Sequence, residues 1–196
     1  MTPTLIVLCI IGLAALIVVS TIVSVRNGIV ASKNRVKRAW ADVIAYQRRK
    51  LNVIPALEQG LKDHQAYEQG TLEKITALRG SLAGLSADAV DVGRLQQVDA
   101  QSKSLLAGLR VTAEAYPVLK TSELYAGWMR ELAETEDNVA AAITIFNETV
   151  QSFNDAIQEW PGSAVNARYN RERPLETFTD PAAQAGIEYR PTFSRQ

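Results

Sequence analysis

The side chains that could do chemistry in this 196-residue sequence are few. Glu131, Glu134 and Asp137 stand three residues apart with Glu136 beside them, so on a helix they form a column of carboxylates one turn apart. General acid–base work needs carboxylates in a cleft that perturbs their pKa. The surrounding periodicity puts this column on a polar face instead, where solvated carboxylates are expected. His64 is the single histidine and Cys9 the single cysteine. That excludes an intramolecular disulfide framework and every zinc or iron site built from several such side chains. His64 reads as an ordinary polar helix residue, and Cys9 as a small apolar residue within an apolar run. The two inward Glu-x-x-His pairs of a di-iron bundle are missing, as are the GxGxxG, Walker and GxSxG motifs. The expectation is a chain with no catalytic residue, no cofactor and no metal.

One repeated pattern remains. Phe146-Asn147 recurs as Phe153-Asn154, seven residues on, which places both asparagines on one helical edge. Two uses fit such an edge. The amides bind a peptide or a small polar ligand, or they hydrogen-bond between helices and fix their register.

The elements that position these residues follow from hydrophobic periodicity. Leu5 to Val25 is a run of twenty-one residues without a formal charge. As a helix it is about 32 Å long, against a hydrocarbon layer of about 30 Å, so it can span a membrane. No Lys or Arg precedes it and it exceeds the usual apolar core of a signal peptide, so a retained anchor is expected. Residues 26–50 then carry Arg26, Lys33, Arg35, Lys37, Arg38, Arg48, Arg49 and Lys50 against Asp42 alone. By the positive-inside rule the N-terminus faces outward and the remainder lies in the cytoplasm. Arg26, Lys33, Arg35, Lys37 and Arg38 are the expected contacts with anionic lipid headgroups. This collar lacks the interleaved aromatics of a single-strand nucleic-acid platform, and the whole chain balances 21 basic against 21 acidic side chains, so no nucleic acid is expected.

Beyond the anchor there is no strand-like alternation. Tyr125, Trp128, Leu132, Thr135, Val139, Ile143, Phe146, Val150, Phe153, Ile157 and Trp160 follow steps of three or four and predict one long amphipathic helix. Thr121 or Ser122 is its expected N-cap, with Glu123 placed at the positive end of the helix dipole. Val36, Trp40, Val43, Leu51, Ile54, Leu57 and Leu61 form an earlier stripe, with Gln47 in register, that continues from the membrane span and reaches on through Leu72, Ile75 and Leu82. Pro55 predicts a kink or break in it. Gly80 to Gly93 reads as a connection, and Leu95, Val98, Leu105, Leu109 and Thr112 as a shorter helix ending near Tyr116-Pro117. The fold expected is all-α: an N-terminal transmembrane helix followed by a long-helix antiparallel up-and-down bundle. It divides into an anchor (1–25), a bundle (26–160) and an irregular tail (161–196) rich in proline and glycine, which either drapes over the bundle or stays mobile.

With these residues placed, the chain resembles the LemA family of bacterial membrane-anchored helical proteins. The likeness rests on Arg26-Asn27, Asn34-Arg35-Val36, Ala39-Trp40, Arg49-Lys50, Ile54-Pro55 and Leu57 after the anchor. It continues through Thr71-Leu72-Glu73-Lys74 to Arg79, through Glu114-Ala115-Tyr116-Pro117 and Leu119-Lys120, and from Thr135-Glu136 to the two Phe-Asn pairs. Phe146 and Phe153 stand where the family usually has tyrosines, Ile143 where it has a basic residue, and Tyr67-Glu68 where a His-Glu pair is common. The resemblance implies a long-helix antiparallel bundle on one transmembrane anchor, with the N-terminus outside the bacterial inner membrane and no established enzymatic activity. Because relatives are often encoded beside membrane zinc proteases, and one branch helps form magnetic-crystal compartments, it also implies a scaffold or adaptor.

The reading is therefore a non-enzymatic membrane-anchored scaffold or adaptor whose bundle docks protein partners, a membrane zinc protease among those to consider. Asn147, Asn154 and Arg49 are its candidate interhelical or partner contacts. The alternative is a self-associating homo-oligomer that shapes or spaces membrane.

Overall fold

Residues 3–63 and 69–180 are described by the computed structural model. His64, the Tyr67-Glu68 pair and the tail beyond residue 180 lie outside the described residues. The elements are α1 (Pro3–Asp63), α2 (Gln69–Ala83), α3 (Val92–Ala115), α4 (Pro117–Lys120), α5 (Glu123–Gln158) and α6 (Gly162–Val165), then a π-type turn over Asn166–Asn170. Residues 171–180 follow without helix, and no strand occurs among the described residues. Two compact units are distinguished. One comprises Met1–Arg38 with Glu148–Glu176, the other Ala39–Asn147 with the chain from Thr177 onward.

In the first unit, α1 begins as a helix that is apolar on every side. Leu8, Ile10, Leu13 and Leu16 each leave 60% or more of their surface uncovered, so no protein face exists for them and hydrocarbon is the solvent that suits them. This is one helix long and apolar enough to cross a membrane. From Ile29 the pattern becomes one-sided: Ile29, Ser32 and Val36 are buried, as are Val150, Phe153 and Ile157 of α5. Trp160, expected on the α5 stripe, lies past the helix end and is 83% exposed. Pro161 disfavours helical geometry at the residue before it, which stops α5 short of Trp160.

In the second unit, paired positions run in opposite directions. Trp40 stacks at a tilt on Phe146 with ring centroids 5.4 Å apart, Lys50 pairs with Glu136, and Gly60 lies against Trp128, so α1 and α5 are antiparallel here. Thr71 bonds Thr112 across α2 and α3, while Arg94 reaches Gly84 at their other end, so that pair is antiparallel as well. The expected break at Pro55 does not occur: α1 stays helical through it. Pro55 faces solvent while Ile54 and Leu57 are buried. Burying two such side chains is worth about 3–6 kcal/mol, which offsets the roughly 3 kcal/mol cost of an interior proline.

The connection between α2 and α3 is shorter than the glycines suggested, only residues 84–91. Gly80 and Gly93 are both helical, because Leu82 and Leu95 beside them are fully buried and hold the helix ends in the core. Three side chains satisfy the successive carbonyls of this loop. Arg94 donates to Gly84 O at 2.6 Å, Arg48 to Leu85 O at 2.8 Å and the Trp40 indole to Ser86 O at 2.9 Å. Asp91 caps α3 by accepting from the Arg94 amide, and Ser122 caps α5 by accepting from the Tyr125 amide.

Gly60 shows how close the helices come, since a Cβ built there would overlap the Trp128 ring. Alanine in a helix is favoured over glycine by about 1 kcal/mol, whereas forcing apart a packed indole costs typically about 1–3 kcal/mol. Gly60→Ala is therefore expected to lower the urea midpoint of the full chain in detergent. An unchanged or raised midpoint would show that Trp128 is free to move aside.

Candidate functional site

The buried stripe of α1 in the second unit runs Trp40, Val43, Gln47, Lys50, Ile54, Leu57 and Leu61, alternating steps of three and four. Lys50 occupies a core position in that rhythm, although the sequence reading counted it with the collar and gave the position to Leu51, which is only half-buried. Strict continuation of the stripe was the signal that would have found it. The Lys50 side chain is completely buried and its ammonium lies 2.7 Å from a Glu136 carboxylate oxygen on α5. It also donates to Ser102 Oγ on α3 at 2.9 Å. Burial pushes its pKa below the ordinary 10.5, and the neighbouring Glu136 carboxylate opposes that shift, with a smaller contribution from Asp99. Of the expected carboxylate column, Glu131, Glu134 and Asp137 are exposed, whereas Glu136 faces inward to Lys50.

Beside this ion pair a non-helical segment is held in place. Asn147 donates its Nδ2–H to Phe178 O at 2.9 Å, and its Oδ1 accepts from Phe178 N at 2.8 Å. A side-chain amide in this pose pairs with a residue as a neighbouring β-strand would, through both main-chain groups at once. Gln96 of α3 donates to Thr179 O at 2.8 Å. Lys103 lies 2.7 Å from Asp180 and 2.9 Å from Asp99, and these two hydrogen bonds raise its pKa. Phe178 is buried and lines a hollow together with Leu106, Val139, Ala140 and Ile143. The absence of a basic residue at Ile143 is consistent with that apolar neighbour.

The first unit uses the same device twice. Asn154 donates to Leu175 O and accepts from Leu175 N, both at 2.9 Å. Asn166 makes the equivalent pair with Glu172, again at 2.9 Å for both bonds. The two asparagines singled out from sequence thus bond to the backbone of the chain's own C-terminal segment and not, by these contacts, to another helix. Asn166 was not foreseen, and of the two courses open to a tail whose prolines and glycines read as irregular, draping or mobility, residues 172–180 take the first. The segment is irregular in secondary structure and specific in its contacts.

The collar divides on inspection. Arg26, Arg35, Lys37 and Arg38 are exposed, but Lys33 is half-buried and paired with Glu172 at 2.6 Å, because the returning segment covers it. Arg49 lies over the Tyr46 ring at 4.8 Å, while Arg48 and Lys50 serve the loop and the core.

The buried pair generates a prediction with a sign. Glu136→Ala strips the buried ammonium of its carboxylate and leaves it on Ser102 Oγ, and is expected to cost about 2–3 kcal/mol, Glu136 being partly open to solvent. The double variant Lys50→Met with Glu136→Leu recovers most of it. Between Lys50's lowered folded pKa and 10.5 the unfolded chain binds more protons, so stability contributed by this group rises with pH across that window. Urea melts of the full chain in detergent across that range check both statements, and Lys50→Met should flatten the rise.

The model of the LemA family matches residues 39–188, which takes in the bundle of the second unit, the asparagine clamps and the segment they hold. Protein LemA of Metamycoplasma hominis is 29% identical over 132 residues, covering 67% of this chain and 59% of that protein. The aligned part is thus less than two thirds of that relative's own length. With the family match extending over most of its length, the chain belongs to the LemA family.

Proposed function

We propose that this protein is a non-enzymatic adaptor anchored in the bacterial inner membrane by α1, whose bundle docks a protein partner through an extended segment. The observation that carries this reading is the α3–α5 surface that already holds residues 178–180 by main-chain bonds from Asn147 and Gln96, by the buried Phe178 and by Lys103. Such a surface recognises extended chain by its backbone and adds selectivity at one apolar and one acidic position, the general logic of strand-like peptide recognition. The charged groups nearby are engaged in holding helices and segment together, which suits a binding role.

Confinement to a membrane raises the local concentration of a partner in the same bilayer, so modest affinity suffices. A membrane zinc protease is the first candidate to test. The exposed Arg26, Arg35, Lys37 and Arg38 contact anionic headgroups and keep the bundle on the cytoplasmic side.

Two experiments test this. A photo-crosslinking residue at Ala140, exposed on the rim of the Phe178 hollow, is expected to give one or two discrete hetero-products in native membranes. Their yield should rise when Phe178→Ala loosens the resident segment. A ladder of self-products would favour the spacing-lattice reading, and no product with either variant would sink the adaptor. For topology, Cys9→Ser with Glu134→Cys places a lone thiol on an exposed face. Labelling by an impermeant maleimide only after lysis is expected, and labelling of intact spheroplasts would reverse the orientation.

A further inference from the structure

Outside the apolar run of α1, the large apolar side chains left exposed in the first unit are Val30, Trp160 and Tyr169. Trp160, at 83%, is more exposed than any large apolar side chain of the membrane-spanning run itself. Its position along α1 is fixed by its neighbours. Trp160, Pro161 and Gly162 line a hollow with Val25, Gly28 and Ile29 of α1. Farther along the same turn, the Asn170 side chain reaches the Arg26 carbonyl at 3.5 Å. Both ends of the turn therefore meet α1 over residues 25–29, the first helical turn after the uncharged run.

Four residues of helix rise about 6 Å. The headgroup layer on each side of a bilayer is about 5–7 Å deep, the difference between the hydrocarbon core and the full thickness. The turn thus stands at headgroup depth whenever residues 5–25 span the hydrocarbon. It is also firmly built. Gly162 packs so near α5 that a Cβ there would overlap the Ala156 carbonyl, Val165 and Asn166 are buried, and Asn166 and Lys33 both hold Glu172. Arg171 adopts left-handed geometry (φ 54°) as the chain leaves the turn, its amide bonding back to the Asn166 carbonyl at 2.7 Å. A rigid turn that displays an indole and a phenol outward has no fold-stabilising reason to leave them bare.

From these contacts we infer that the turn from Trp160 to Arg171 is a second membrane-contact element, which seats Trp160 and Tyr169 in the interfacial layer of the bilayer crossed by α1. This rests on the membrane-anchored reading above. Tryptophan and tyrosine suit that layer because an apolar ring with a polar N–H or O–H is satisfied where hydrocarbon meets water. Arg168, Arg171 and Arg173 are exposed beside them, as are Arg26 and Arg35 on α1, against Asp155 and Glu159 close to Trp160. The basic excess suits anionic headgroups, and the outward indole and phenol suit the interfacial layer better than water. A helix anchored at one point is free to swing about that point. A second contact on the same unit removes that freedom and sets how the unit meets the membrane surface.

The test uses the full chain in proteoliposomes made with phosphatidylcholine and phosphatidylglycerol, some of it brominated either near the headgroup or near the chain ends. Trp40 and Trp128 are buried, so the difference in emission between the natural protein and Trp160→Ala isolates Trp160. Shallow bromine is expected to reduce that component by about half and deep bromine by much less, as for an interfacial indole. Quenching by aqueous acrylamide with no effect of either bromolipid would overturn the inference. Protection from both quenchers would also overturn it, assigning the turn to contact with a second copy. Alkaline extraction of the same vesicles separates the two readings. A chain that stays with the bilayer while Trp160 is unquenched defeats only this inference, whereas a chain that extracts defeats the anchor itself.

Discussion

Between Val25 and Ile29 helix α1 changes the solvent for which it is built. Up to Thr21 its side chains are uncharged and exposed on all sides. From Ile29 one face is buried and the others carry Arg35, Lys37 and Arg38 in the exposed register, with Arg26 exposed just before it. A single helix has to meet both conditions without a break, because every backbone N–H and C=O in hydrocarbon must be satisfied within the helix. The returning segment is held against α1 just past this change, by Glu172 on Lys33 and by the Asn170 amide on the Arg26 carbonyl.

In the second unit the corresponding constraint is Lys50. A fully buried ammonium is tolerated only when a carboxylate and a further acceptor reach it, and Glu136 and Ser102 do so from two different helices. Sliding α5 by one turn along α1 would separate the pair and leave both charges wanting. The steps of three and four that repeat along both helices do not by themselves exclude that slide; the ion pair does, together with Trp128 seated on Gly60. The ion pair contributes more to register than to net stability, in the manner of a polar group at a core position of a coiled coil. The indole of Trp40 and the guanidinium of Arg48 extend the same control to the α2–α3 loop.

Much of this was legible in the sequence. The uncharged run, the long helix that became Glu123–Gln158, its Ser122 cap and the core of α3 all follow from periodicity and local chemistry. Three things were not. Pro55 was weighed by its local cost, while the burial of Ile54 and Leu57 that overrides it is a tertiary gain. Lys50 and Glu136 were read by charge, and charge says outside until the partner across the helices is known. The tail was read by its prolines and glycines, which report the absence of helix correctly but say nothing about docking. Its contacts are made by its backbone, which every sequence possesses, so no residue pattern in the tail could announce them.

The asparagine clamps carry a consequence for how such a surface can be switched. Each clamp, within its own unit, bonds only to main-chain N–H and C=O groups, so chain of many sequences fits it. Each clamp contributes neutral hydrogen bonds worth only about 1 kcal/mol apiece, and the segment stays seated because it is tethered. Phe178 follows the end of α5 by twenty residues, and because the turn between them is firmly held the segment meets its clamps at an effective concentration no lower than the millimolar range of a flexible tether. A free peptide at micromolar concentration cannot compete with that. A partner confined to the same bilayer has a raised local concentration of its own and can, which makes exchange of one extended segment for another a process suited to the membrane surface and suppressed in bulk solution.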